Sequence, residues 1–126
     1  MNRAVGQVTR GTTGTNRLRR FDRWIAHLAA REIRGAERPL AVDLGFGAHP
    51  ATTVEWRRSL IAINPGMDVV GVEIERTRVE TARGIITAIH GGFEIPTDRY
   101  PLLIRAANVL RQYPRADVER AWDLMR

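Results

Sequence analysis

The chain contains no cysteine and no lysine, and Ser59 is its single serine. Without thiols there is no disulfide framework, no thiolate zinc site and no cysteine nucleophile. Without lysine there is no Schiff-base amine and no lysine of the kind that phosphate-binding loops of NTPases require. Ser59 falls inside a helical pattern and not on a Gly-x-Ser-x-Gly elbow, which argues against serine hydrolysis. Apolar runs extend for only a few residues, far short of the roughly 20 needed to span a bilayer. The N-terminus also lacks an apolar signal core, so no membrane anchor is expected and the cytoplasm is the default location. His27, His49 and His90 are too scattered to read as a helical metal pair, and no metal site is expected.

What is present fits one domain: 126 residues, 44% hydrophobic and 27% charged. A chain of this size can bury roughly two-thirds of the surface it exposes when unfolded, so a core without staples is feasible. The formal net charge is +6, and its placement is uneven. Residues 1–38 hold nine arginines against Asp22, Glu32 and Glu37, while the remainder holds eleven arginines against eleven acids. Such an excess suits an anionic partner such as nucleic acid; an all-arginine usage is equally what a biased genome composition produces.

Residues 1–14, with Gly6, Gly11, Gly14 and three threonines, have no apolar period and read as an arm preceding a domain over 15–126. From Asn16 onward Leu18, Phe21, Ile25 and Leu28 recur at helical steps, joined by Trp24, with Arg17, Arg19, Arg20 and Arg23 on the other face. Thr15 or Asn16 would cap this helix and Gly35 would end it. Leu40-Ala41-Val42 then reads as a strand running into Asp43-Leu44-Gly45-Phe46-Gly47, followed by a helix on Trp56, Leu60 and Ile63 that stops at Asn64-Pro65-Gly66. A second strand spans Asp68 to Glu73 and a short helix Arg76 to Arg83. Ile85, Ile86 and Ile89 suggest a third strand, Leu102, Leu103 and Ile104 a fourth, and Ala116 onward a last helix. The alternation predicts an α/β fold: a Rossmann-like open, mostly parallel sheet of about four strands with flanking helices.

Ligands of such sheets bind beyond the carboxyl ends of the strands, where Asp43, Gly45, Gly47, Glu73, Gly92 and Asn108 all fall. The third glycine of a dinucleotide fingerprint would occupy position 50, which is proline, and Asp43 would repel a pyrophosphate by several kcal/mol at close range. A cationic adenosine compound reverses that sign. S-adenosylmethionine carries a sulfonium and an ammonium that Asp43 would attract, and Glu73 could accept both ribose hydroxyls.

The run Ala41-Val42-Asp43-Leu44-Gly45-Phe46-Gly47, with Val70-Gly71-Val72-Glu73 some thirty residues later, resembles motifs one and two of the class I S-adenosylmethionine-dependent methyltransferases. His90-Gly91-Gly92-Phe93-Glu94-Ile95-Pro96 is similar to that family's segment after the third strand, usually Gly-Asp-Ala-x-x-Leu-Pro, with Gly92 in place of the acid. Ile104-Arg105-Ala106-Ala107-Asn108-Val109-Leu110 is similar to the fourth-strand segment, its Asn-Val-Leu run resembling chemotaxis-type enzymes. The resemblance implies cofactor contacts from Asp43, Gly45, Phe46, Gly47, Glu73, Ile74, Gly92 and Phe93, and a place for Asn108 near the transferred methyl group. Phe93 also suits a core, and Asn108 a turn. The methyl acceptor is not legible. A non-catalytic module whose arginine-rich helix meets nucleic acid or a partner protein is the competing expectation.

The family's sheet usually has seven strands in the order 3-2-1-4-5-7-6, whereas this sequence supplies four and ends inside a helix at Leu124-Met125-Arg126. It therefore reads as the N-terminal half of the domain, a truncated version of the methyltransferase fold. The resulting free edge along Leu102 to Ala106 invites pairing with a second copy or another chain. Light scattering is expected to detect association or poor solubility; a stable, dispersed monomer would contradict this.

Overall fold

The computed structural model describes residues 19–106. The expected arm over 1–14, the helix from Ala116 and the candidate Asn108 lie outside the described residues. Within them the elements run α1 (Arg19–Gly35), β1 (Leu40–Leu44), α2 (Ala51–Ile63), β2 (Asp68–Glu73), α3 (Arg76–Ala82), β3 (Thr87–His90) and β4 (Leu103–Arg105). The strands form one sheet in the order β3-β2-β1-β4, and every pairing is parallel. The fold is α/β with a Rossmann-like open sheet, as the alternation of elements predicts. No helix among the described residues is long and apolar enough to cross a membrane.

Side chains alternate across a strand, so each strand feeds two clusters. Leu40, Val42 and Leu44 of β1 join Val70, Val72 and Phe93 on one face. Ala41 and Val69 join Ile33, Trp56, Leu60 and Met67 on the face that α1 and α2 cover. A third cluster, Phe46, Val79, Ala82, Ile86 and Ala88, seats α3. Full burial of a side chain such as Leu60 or Ile33 contributes roughly 1.5–3 kcal/mol, so these three clusters supply most of what holds the layers together.

Two sequence expectations need correction. The stripe that α1 buries runs through Asp22, Ala29 and Ile33, whereas Leu28 and Trp24 are each 57% exposed. The helix is rotated from its most apolar face because Asp22 is drawn inward by a buried arginine described below. The third strand begins at Thr87 and not at Ile85, because the amides of Ile85 and Ile86 both bond back to the Ala82 carbonyl in a turn around Gly84 (φ 95°). Ile85 is left 61% exposed while Ile86 is buried.

The stop after α2 works as its sequence suggests. Asn64 donates to the carbonyls of Ile33 (2.7 Å) and Ala36 (3.1 Å) and accepts from Gly66 N–H (2.9 Å). One side chain thus satisfies carbonyls at the end of α1 and fastens the two helices together.

Gly71, in the middle of β2, leaves no room for a side chain. A Cβ there would lie 2.7 Å from both Phe46 Cδ1 and Ile86 Cδ1. Gly71→Val is expected to destabilise the protein by about 1–3 kcal/mol, the usual cost of overpacking, measured by urea denaturation. An unchanged midpoint would show that Phe46 and Ile86 yield freely.

Candidate functional site

The register brings the sequence-predicted residues to one end of the sheet. Leu44 lies opposite Val72, so the glycine turn leaves β1 where β2 reaches Glu73, and Gly45 N–H bonds to the Val72 carbonyl at 2.6 Å. Gly45 (φ 73°) and Gly47 (φ 85°) both lie in the left-handed region that favours glycine. On the other side of β2, His90 lies opposite Glu73, and Gly91 N–H bonds to the Glu73 carbonyl at 3.0 Å. Asp43, Gly45, Gly47, Glu73, Ile74, Gly92 and Phe93 therefore gather at the carboxyl ends of β1, β2 and β3.

Asp43 is 3% exposed and fully engaged. Its Oδ2 accepts from Thr53 Oγ1 (2.7 Å) and from Arg105 Nη2 (2.6 Å), and its Oδ1 accepts from Arg105 Nε (3.1 Å). Arg105, at the end of β4 and also 3% exposed, reaches further. Its Nη1 donates to Asp22 Oδ1 (2.5 Å), its Nη2 to the Thr52 carbonyl (3.0 Å), and its guanidinium carbon lies 4.5 Å from the Trp56 ring centroid. One side chain thus joins α1, β1, α2 and β4. The sequence reading gave the charge of Asp43 to a cationic ligand, but in the structure that charge already has a partner.

The electrostatics of this group follow from its stoichiometry, two carboxylates around one guanidinium. Burial alone would favour loss of the Arg105 proton, but Asp43 and Asp22 outweigh it and hold the group above its ordinary value. For Asp22 burial dominates. It pushes the carboxyl above its ordinary 3.8 despite Arg105, with Asp43 and Glu55 adding repulsion.

Glu73 is 1% exposed. Its Oε2 accepts from Glu75 N–H (3.0 Å) and its Oε1 from Arg78 Nη1 (3.1 Å). Glu75 caps α3 by accepting from the amides of Thr77 and Arg78, each at 3.1 Å. The Thr77 amide is the main cause that holds the Glu75 carboxyl below its ordinary 4.5. The Ile74 carbonyl lies 2.8 Å from His90 Nε2. Phe46 and Phe93 are 3% and 4% exposed and pack in separate core clusters, so what they offer a ligand is mainly backbone. Gly92 N–H donates to Glu94 Oε1 at 2.9 Å, so a carboxylate sits beside Gly92 although the residue itself carries none. Ile95 holds a left-handed backbone (φ 49°) in this loop, which costs about 1–3 kcal/mol and is offset by its packing against the apolar core.

Sequence reasoning missed Arg105 and Asp22. Each carried a signal: an arginine directly after the strand pattern Leu102-Leu103-Ile104, and an acid at helical spacing from Ala29 and Ile33. A cavity of about 450 Å³ lies elsewhere, lined in part by Leu40, Met67, Asp68, Thr87, Arg57 and Arg99. Leu40, Asp68 and Thr87 begin their strands, so this cavity belongs to the amino end of the sheet, away from the glycine turn. No family model matches the chain, and no curated protein matches it.

Removing one partner of a buried pair typically costs about 3–5 kcal/mol. Arg105→Met is expected to lower unfolding free energy by that amount in urea titration, and a change below about 1 kcal/mol would contradict the clamp. Asp22 contributes with the opposite sign to an ordinary paired carboxylate. Its raised native value means that its contribution is fully present below the unfolded value near 3.8 and is lost as pH rises through the native one. Asp22→Asn is expected to remove that part of the pH dependence of thermal stability; an identical profile would refute it.

Proposed function

We propose that this chain binds S-adenosylmethionine at the carboxyl ends of β1 and β2 and belongs to a methyl-transfer enzyme of the class I kind, working in the cytoplasm. The observation that carries the reading is the register: a left-handed Gly45-x-Gly47 turn leaves β1 beside the point where Glu73 ends β2. Parallel sheets of this type bind nucleotides at that end.

Each residue present has a use for such a compound. The glycines hold no side chain over the turn, so a ligand can approach the backbone. The first turn of α2, whose N-cap Pro50 provides no side-chain bond, leaves amide donors for a carboxylate. Glu73 can accept two ribose hydroxyls once Arg78 Nη1 swings off its Oε1. Gly92 and Phe93 line the adenine side with backbone groups, and the Glu94 carboxylate stands at the Gly92 amide. When bound, the cofactor supplies a sulfonium methyl group whose C–S bond breaks as an acceptor's lone pair attacks, and the protein's task is chiefly proximity and alignment. Asn108 is assigned a place near that methyl group on resemblance, and the acceptor is unidentified. Among the described residues β4 stands at the edge of the sheet, the expected place for a second copy or another chain.

One observation favours the competing reading. With Asp22 buried against Arg105, α1 exposes Arg20, Arg23, Arg31 and Arg34 against the single exposed acid Glu32. A non-catalytic module that docks nucleic acid through this face would show binding to random RNA that weakens steeply with salt, with no response to S-adenosylmethionine.

Titration calorimetry discriminates the two. S-adenosylmethionine and S-adenosylhomocysteine are expected to bind, and Glu73→Gln to weaken both by about tenfold, the loss of roughly one charge-assisted hydrogen bond. Equal binding by wild type and variant would remove Glu73 from the site.

A further inference from the structure

The outer face of α1 has no part in holding the cofactor, yet its side chains are arranged in a way that packing does not require. Arg20, Arg23, Arg31 and Arg34 are exposed, and none of them forms an ion pair among the described residues. At about 100° per residue the four arginines share a sector of about 80° with His27, and Trp24 borders it one turn beyond Arg20. Trp24 and its neighbour Leu28 are each 57% exposed. Arg20 and Arg23, like Arg31 and Arg34, stand three residues apart, where like charges repel and weaken a helix. Glu32 has Leu28, Ala29, Gly35 and Ala36 at such spacings, so it relieves neither pair. Asp22 is committed to Arg105. The row of uncompensated cations runs about 21 Å from Arg20 to Arg34, enough to meet several consecutive phosphates of one strand.

The start of this row lies at the ligand end of the sheet. Asp22, in the first turn, is joined through Arg105 to Asp43, two residues before Gly45, whereas Asn64 holds the far end of α1 near the start of β2.

We propose that the outer face of α1 holds a single-stranded nucleic acid and that this strand is the methyl acceptor. The proposal rests on the cofactor reading and names its substrate class. The arginines meet the phosphates, and the Trp24 ring gives an unpaired base a surface to stack on. A duplex keeps its bases stacked on one another and cannot use Trp24 in this way. A lipid surface would require a broad apolar face, and here only Trp24 and Leu28 are offered beside the arginine sector. In the transfer, a lone pair on the strand forms the new bond to the methyl carbon. The electron pair of the breaking C–S bond stays on sulfur, leaving neutral S-adenosylhomocysteine, and the proton displaced from the acceptor atom passes to water.

Fluorescence anisotropy on the whole chain, with a labelled single-stranded RNA of random sequence, tests the surface. Four phosphate contacts predict a log–log salt slope near about −2.8, or about fiftyfold weaker binding between about 50 and 200 mM salt. Arg20→Gln with Arg23→Gln is expected to make that slope shallower by about 1.4. Trp24→Ala is expected to weaken binding by about tenfold with the slope unchanged, because stacking releases no counterions. Wild-type affinity in both variants would overturn the proposal, as would equal affinity of wild type for duplex RNA of the same length or for phosphatidylserine vesicles. If a variant does not fold, the wild-type slope and the duplex comparison decide.

Amide shifts test the assignment as acceptor. With S-adenosylhomocysteine bound, added RNA is expected to shift Gly45 and Gly47 together with Arg23 and Trp24. Shifts confined to α1 would overturn the acceptor assignment and leave the cofactor reading intact. Failure of S-adenosylhomocysteine to bind would end the cofactor reading and the acceptor assignment with it, even where α1 still held the RNA.

Discussion

A single buried guanidinium organises this molecule. Arg105 enters from β4, spans the end of β1 to reach Asp43, and extends to Asp22 on α1. Two carboxylates and one cation inside a core are costly to desolvate, and such a group persists only where its hydrogen bonds are nearly complete. Here they are: Thr53, Thr52 and the face of Trp56 complete the shell. The rotation of α1, which turns Trp24 and Leu28 outward, follows from the same contact.

The clamp sits immediately before the glycine turn, so structure and proposed function meet at one point. Asp43 is the last β1 side chain directed toward the helix layer, and Gly45 follows two residues later. A loose Asp43 would loosen the turn that leaves β1. At the neighbouring strand end Glu73 is held by Arg78 and by the Glu75 amide. Both carboxylates are therefore preorganised, and only the second pair has a partner on a partly exposed side chain that can move aside.

Much of the architecture was legible because it rests on local patterns. β2 spans Asp68 to Glu73 as its valines indicate, α1 ends at Gly35, and Asn64 closes α2. The parallel order and the shared carboxyl end follow from the alternation of elements and from crossover handedness. The pairing of Asp43 was not legible, since its partners stand 62 residues away in Arg105 and, through it, 83 residues from Arg105 in Asp22. No local period reports a contact of that range. The start of β3 was misplaced for the opposite reason: Ile85 and Ile86 have strand propensity, but two backbone bonds to Ala82 hold them in a turn. Apolar character likewise misdirected α1, where an ion pair outweighed the burial of Leu28.

The proposed ligand end of the sheet is the glycine turn and not the cavity at the opposite end. Backbone amide shifts recorded while S-adenosylhomocysteine is titrated into the protein test this most directly. Gly45, Gly47, Ile74 and Gly92 are expected to shift together and saturate, while Leu40, Asp68 and Thr87 stay in place. Shifts confined to the latter three, or none at the former four, would contradict it.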